Sequence, residues 1–191
     1  DKLDKTKSDI LNLISTIPNL PDDNVPDGLS FNDNLEVFSS GEIKDINDNL
    51  KNHWDLAKDL DIIDFDLGSK ITGSGFPVYK GKGAKLQRAL INFFLDRNIS
   101  AGYTEFQVPH LVNSQSAFAT GQLPDKDGQM YHVINDDFYL IPTAEVPLTN
   151  IYRNSIVTIE ELPILLTGYT PCFRREAGSY GSDVRGLNRL H

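Results

Sequence analysis

The sequence predicts an α+β fold, a mainly antiparallel sheet flanked by helices, with a short separate helix ahead of it. Two observations carry this. The stretch "AKLQRALINFFLDRNIS" puts Leu86, Ala89, Leu90, Phe93 and Phe94 at the i, i+3, i+4, i+7, i+8 positions of one helix face. Several extended segments follow it without helices alternating between them, which is the pattern of α+β and not of a doubly wound parallel sheet. The composition, 39% hydrophobic and 24% charged, is that of an ordinary globular chain.

Taken in order, residues 1–17 carry Leu3, Ile10 and Ile17 seven apart, with Leu13 in the complementary position. That spacing fits the last turns of a helix packed on a partner helix, and equally a short amphipathic helix lying on its own domain. "PNLPDDNVPDG" stops the helix, because proline lacks the N–H that a helix ladder needs. Residues 29–52 are polar, rich in Asn and Asp, and read as an irregular connector. The texture changes at His53. "HWDLAKDLDIIDF" predicts a short helix followed by buried chain, and "KITGSGFPVYKGKG" an extended pair of segments around Pro77. After the helix of residues 84–100, "GYTEFQVPHLV" predicts a strand through Tyr103, Phe106 and Val108 that Pro109 terminates or places at an edge. Further strands are expected at "QMYHVI", "DFYLIPTAEV" and "LTGYTPCFRREA". The resulting division is 1–18, 19–52 and 53–191.

Lys and Arg number 18 against 27 Asp and Glu, a net charge of −9. Any phosphate ligand must therefore be met by local arginines and not by the overall field. The single cysteine, Cys172, excludes an internal disulfide and fits a reducing compartment; it reads as a small buried hydrophobe beside a strand. "DKLDKTKSDI" is too charged for a signal peptide, and no apolar run approaches a membrane span, so the chain reads as soluble and cytoplasmic, with no membrane partner.

Several familiar sites fail on spacing. In "TGSGFPVYKGKGAK", Gly75 and Gly81 are six apart instead of five and no Ser or Thr follows Lys82, which excludes a P-loop. Hairpin glycines explain the stretch better. A dinucleotide fingerprint lacks its strand and helix start. His53, His110, His132 and His191 are scattered and Cys172 has no second Cys nearby, so no metal site is expected.

Two segments remain. In "IPTAEVP", an extended chain from Ile141 to Val146 would put Thr143 and Glu145 on one face with Ala144 opposite. A hydroxyl beside a carboxylate suits a small ammonium group; the plainer reading is a strand end with one solvated Glu. In "FRREAG", the same alternation pairs Arg174 with Glu176 and sets Phe173, Arg175 and Ala177 opposite. A guanidinium fork can grip a phosphate or carboxylate through two charge-assisted bonds. Glu176 could accept from an amine such as an adenine amino group, brace the arginine, or form a surface ion pair worth roughly 0–1 kcal/mol. With Arg185 and Arg189, four arginines fall within sixteen residues of an acidic chain, and look like an anion site.

Together these segments resemble the seryl-tRNA synthetase family, class II aminoacyl-tRNA synthetases of bacterial type, over nearly the whole chain. "IPNLPDDNVPDG" resembles the exit from the family's tRNA-binding coiled-coil arm and "HWDLAKDLDIIDF" the start of its catalytic domain. "GAKLQRALINFFLDRNISAGYTEFQVPHLVN" resembles class II motif 1, ending at Pro109. "TGQLP" and "LIPTAEVPLTN" resemble the stretch holding a Thr-Ala-Glu serine-binding signature. "TPCFRREAGSYGSDVRGLNRLH" resembles motif 2, whose Phe-Arg-x-Glu core matches Phe173 to Glu176.

The resemblance implies a serine–tRNA ligase, which makes seryl-adenylate and pyrophosphate from L-serine and ATP and then charges tRNA(Ser), with tRNA(Sec) a further candidate substrate. It implies that Arg174 bridges the ATP α-phosphate and the serine carboxylate. Thr143, Ala144 and Glu145 would line the serine pocket. Arg174, Arg175, Glu176, Arg189 and Leu190 would contact ATP, with Glu176 at the adenine and Arg189 at the γ-phosphate. It further implies a homodimer through motif 1 and Mg2+ with ATP, held by acids beyond residue 191. On this reading the chain stops inside motif 2, without motif 3 and most of the arm, and would be inactive alone. Two other functions compete: a non-catalytic synthetase-like binding or regulatory protein, and a ligase loading an amino acid onto a carrier protein. The helix at the N-terminus, read as the end of the arm, favours a tRNA enzyme.

Overall fold

A computed structural model describes residues 1–42, 50–176 and 185–191 of the chain. The 43–49 part of the expected connector, and the 177–184 part of the loop with Ala177, Gly178 and Gly181, lie outside the described residues. The chain falls into two units, Asp1–Leu50 and Lys51–His191.

In the first unit, helix α1 (Lys2–Ile14) is capped by the Asp1 carboxylate, with Asp4 completing the reciprocal pair. It stops three residues short of Ile17. The Ser15 and Thr16 hydroxyls donate to the Asn12 and Leu13 carbonyls, at 2.9 and 2.8 Å, and so offer those carbonyls partners other than further helix. Leu3, Ile10 and Leu13 are all exposed, so the heptad stripe covers nothing within its own unit. The described part of the connector contains a 3-10 turn, Phe31–Asp33, where Asp33 accepts from the Leu29 and Ser30 N–H groups.

The second unit begins with α2 (His53–Asp59), as the sequence predicts. Strand β1 (Ile63–Asp64) leads directly into α3 (Phe65–Ile71), a helix the sequence reading missed. Asp64 starts it, its carboxylate accepting from the Leu67 N–H at 2.8 Å. Only the second half of the expected pair around Pro77 is a strand, β2 (Val78–Tyr79), antiparallel to β1 with Ile63 opposite Tyr79. Gly68 on α3 lets the backbone at Phe76 close in: a Cβ there would lie 1.6 Å from the Phe76 carbonyl oxygen.

Helix α4 (Lys82–Ser100) is the long predicted helix, two residues longer at its start. Ile91, Leu95 and Asn98 turn toward the unit, and the Asn98 side chain donates to the Thr167 hydroxyl at 2.9 Å. The stripe of Leu86, Leu90, Phe93 and Phe94 turns outward, with each residue 45–61% exposed. Beyond it, β3 (Thr104–Glu105) pairs in parallel with β7 (Leu166–Thr167), the one parallel pair among the described residues. The other sheet is antiparallel, in the order β4–β6–β5, from β4 (Leu111–Asn113), β5 (His132–Val133) and β6 (Phe138–Leu140). Asn113 caps α5 (Ser114–Ala119). Val112, Ala117, Met130, Ile141 and Val146 form the core, with Ile141 and Val146 fully buried.

Three expectations are corrected. The chain is not extended through Ile141–Val146: β6 ends at Leu140 and α6 (Glu145–Asn150) begins five residues later. Pro142 has no N–H for a ladder, whereas Glu145 favours a helix N-terminus and Pro147 is tolerated in a first turn, where no intrahelical donor is needed. The expected strand "LTGYTPCFRREA" reduces to Leu166–Thr167, and residues 168–176 cross the unit on isolated hydrogen bonds. Cys172 is exposed, not buried; Thr170 takes the inward position, with its hydroxyl 3.7 Å from the Cys172 sulfur.

Candidate active site

Three backbone bonds fix the Phe173–Glu176 segment. Phe173 N–H donates to the Ile141 carbonyl at 2.8 Å, Arg174 N–H to the His191 carbonyl at 2.9 Å, and Arg175 N–H to the Gln129 carbonyl at 2.9 Å. Ile141 is itself anchored, its N–H donating to the His110 carbonyl at 3.0 Å. The arginine-rich segment is thus seated on the buried residue that immediately precedes Pro142-Thr143-Ala144-Glu145.

The side chains diverge from there. Arg174 Nε donates to the Pro142 carbonyl at 3.1 Å, so its guanidinium lies against the turn that carries Thr143. Arg175 turns elsewhere: its Nε donates to the Met130 carbonyl at 3.2 Å and its guanidinium lies 5.1 Å from the Tyr131 ring centroid. Arg175 is therefore a strut to the β5 region, directed away from Arg174. Glu176 has a φ of +50°, a left-handed backbone that a non-glycine residue adopts at a cost and often at functional sites. Its carboxylate is hydrogen-bonded to Arg189 Nε. Leu190, next in the chain, is half-buried.

Thr143 and Glu145 do not share a strand face. They sit on the turn into α6, where the Glu145 N–H approaches the Thr143 hydroxyl at 3.4 Å. Glu145 borders one open cavity of about 690 Å³, with Leu148, Tyr152 and Thr167. Glu176 and Arg189 border another of about 1000 Å³, with Trp54, Asp64, Lys80 and His191. The structure therefore joins Arg174 to both segments through the backbone, but leaves the two carboxylates in separate cavities. In the larger one, the Leu67 N–H holds the Asp64 carboxyl below its usual range, outweighing burial, and Lys80 adds to this. The hydrogen bond to Asp61, at 2.5 Å, pushes the Lys80 ammonium up.

Sequence reasoning missed the residues that close the site. His191, considered only as a stray metal ligand, stacks on Phe76 with ring centroids 4.9 Å apart and shares a 2.9 Å hydrogen bond with the Tyr131 hydroxyl. Its N–H donates to the Gly75 carbonyl at 3.0 Å. These contacts join positions far apart in the chain; only the glycine at 75, with φ +84° and no room for a Cβ beside the imidazole, hinted at a close approach. Among the described residues no group of three or more His, Cys, Asp or Glu side chains is placed to hold a metal ion. Among the described residues no helix is long and apolar enough to cross a membrane.

A long helix, a small antiparallel sheet and an arginine segment seated beside an acidic turn define a class: the model for the class II tRNA synthetase core domain (G, H, P, S and T) matches residues 131–191. Within that class the kinship is specific. The chain is 54% identical to the serine–tRNA ligase of Salinibacter ruber over 94% of its length and 49% identical to that of Thermodesulfovibrio yellowstonii over 100%. It spans 42% and 45% of those two proteins. Its structure matches seryl-tRNA synthetase from Pyrococcus horikoshii, solved with ATP, with a TM-score of 0.91 and 32% identity, covering all of this chain and 47% of that one. The cytoplasmic serine–tRNA ligase of Naegleria fowleri, solved with AMP, shares the fold at a TM-score of 0.87 and 24% identity, covering 100% and 46% of the two chains. The chain is thus a homologue of the serine–tRNA ligases, and its fold is that of the corresponding part of seryl-tRNA synthetase.

Proposed function

We propose that these residues form part of the adenylate-forming site of a serine–tRNA ligase. The observation that carries this reading is the hydrogen-bonded seating of Phe173-Arg174 on Ile141-Pro142, which puts one guanidinium against the Thr143-Ala144-Glu145 turn. In the reaction, a serine carboxylate oxygen attacks the α-phosphorus of ATP, the α–β bond breaks and pyrophosphate leaves; the seryl group then passes to the 3′ end of tRNA(Ser), with tRNA(Sec) a further substrate. Arg174 bridges the α-phosphate and the serine carboxylate. Its charge stabilises the phosphorane without a protein nucleophile, so positioning and electrostatics supply most of the catalysis. Thr143, Ala144 and Glu145 serve the serine amino group.

Glu176 takes the adenine amino group, Arg175 braces the nucleotide segment, and Arg189 with Leu190 meets the triphosphate end. The Glu176–Arg189 pair must then yield to, or share, the nucleotide. Mg2+ would accompany ATP and neutralise its phosphates, and the described residues offer no carboxylate cluster for it. The outward stripe of α4 supports a homodimer through this helix, near Pro109. Residues 1–18 act as the end of a tRNA-binding arm, 19–52 as connector and 53–191 as catalytic-domain chain, working in the cytoplasm.

The test is serine-dependent exchange of pyrophosphate into ATP by a protein of the relatives' full length that carries this segment. Exchange with serine supports the reading; exchange with no amino acid at all refutes it.

A further inference from the structure

The larger cavity is bordered by Trp54, which no motif accounts for, and His53 stands next to it in the chain. His53 and Trp54 open α2, more than 130 positions before the residues they touch. The Leu187 N–H donates to His53 Nε2 at 2.7 Å. Beside it Gly186 has a φ of +73°, and a Cβ there would lie 2.2 Å from the same nitrogen, so the backbone passes directly under the ring. The Arg185 guanidinium lies 5.9 Å from the Trp54 ring centroid, within reach of a cation–π attraction. The two rings brace each other edge to face, with centroids 4.9 Å apart. Three successive residues of the turn 185–188 are therefore held by one dipeptide.

Farther along the chain His191 is bonded through its backbone to Gly75 and Arg174. Arg189, whose Nε is bonded to Glu176, and Leu190 lie in the chain between these two anchors. A long side chain whose backbone is pinned on both sides loses fewer conformations when it meets a ligand, which favours binding by preorganisation.

We infer that His53 and Trp54 are positioning residues: they clamp the turn 185–187 and thereby set the reach of Arg189 toward the triphosphate of ATP. This rests on the proposed adenylate-forming site. The His53 contact needs an unprotonated Nε2, so the neutral ring must carry its proton on Nδ1.

Two substitutions separate acceptor from shape. His53→Phe keeps a ring against Trp54 but leaves the Leu187 N–H without its acceptor. His53→Gln removes the ring but restores an acceptor near the Nε2 position. In full-length enzyme carrying this segment, His53→Phe should raise KM for ATP roughly five- to tenfold, as expected for one lost hydrogen bond to a partly buried N–H. KM for serine and kcat should stay within about twofold, since a triphosphate contact is made in ground and transition states alike. His53→Gln should stay within about twofold of wild type throughout. Equal behaviour of the two variants, or a parallel rise in both KM values, would overturn the inference. Should His53→Phe not fold, Arg185→Gln, which removes the cation from the Trp54 ring, must raise KM for ATP selectively, or the clamp is refuted.

Failure of the underlying reading is distinguishable. A wild-type enzyme that forms no seryl-adenylate refutes the site. The clamp is then judged by hydrogen exchange at the Leu187 amide in the 191-residue chain. It should be protected in wild type and in His53→Gln, and roughly tenfold faster in His53→Phe; no difference would refute it.

Discussion

Arg174 and Arg175 are neighbours of identical chemistry, and the structure gives them different work, so the pair forms an internal control. Of the five N–H donors on the Arg174 guanidinium, the Nε one is engaged by the Pro142 carbonyl. The terminal nitrogens are the ones that can span two anionic groups. On the proposed role, Arg174→Ala removes a donor fork at the point where phosphorane charge would develop. Adenylate formation should fall by roughly 10²–10³-fold, the scale seen when one transition-state donor is lost. Arg174→Lys should recover little, because a point ammonium cannot hold Pro142 and bridge two acceptors at once. Arg175→Ala loses the bond to the Met130 carbonyl and the contact with Tyr131. For a solvent-exposed arginine these contribute roughly 1–2 kcal/mol of stability. Its activity should remain within about tenfold while its urea midpoint falls. The assay is serine-dependent pyrophosphate exchange on full-length protein, with circular dichroism and urea unfolding on the same preparations. Equal activity losses at 174 and 175, or a nearly active Arg174→Ala, would refute the bridging role.

Three further outcomes are expected. Gly68→Ala should destabilise the second unit by about 2–3 kcal/mol or more in urea unfolding, because the added methyl meets the Phe76 carbonyl oxygen and backbone must move. Phe93→Glu in full-length protein should convert a dimer to a monomer in sedimentation velocity at micromolar concentration, whereas a wild type already monomeric there would refute pairing through α4. Asp64→Ala should lower the melting temperature at pH 7 by removing the α3 cap. The folded carboxyl is held below its unfolded value, so that stabilisation is present above the unfolded carboxylate range and lost as pH falls through the folded value; thermal melts of the two proteins should converge as acid is added.

The parts of this fold legible in the sequence are those governed by local periodicity or by a dense motif. Helix α4 was legible because its stripe repeats over several turns, although the same stripe could not say whether it faced inward or outward. Phe173 to Glu176 and Thr143 to Glu145 stood out as motifs, yet their geometry did not follow from alternation. Pro142 breaks the ladder, and a carboxylate at position 145 is as suitable for a first helical turn as for a strand. Cys172 was misjudged because its residue type favours burial while Thr170, two positions earlier, holds the inward place. The contacts of His53 and His191 were invisible for another reason. The His53 ring meets the Leu187 backbone, and His191 meets Gly75 through its backbone and Phe76 and Tyr131 through its ring, all at least sixty residues away, and no local pattern encodes such a meeting.

Ile141 has a bearing on how this site can vary. It is fully buried among Val112, Met130 and Val146, yet its carbonyl holds Phe173 and its N–H is tied to His110. The register of Arg174 against Pro142 is thus inherited from hydrocarbon packing one residue away. Trimming a methylene at Ile141 would cost only about 1 kcal/mol of stability, a loss the fold can absorb. The same relaxation, passed through two backbone bonds, would tilt the Arg174 guanidinium, and in the proposed role a misplacement of about 1 Å can cost roughly 10²-fold in rate. Catalytic rate in such a protein can drift through substitutions that touch no substrate and barely register in a melting curve.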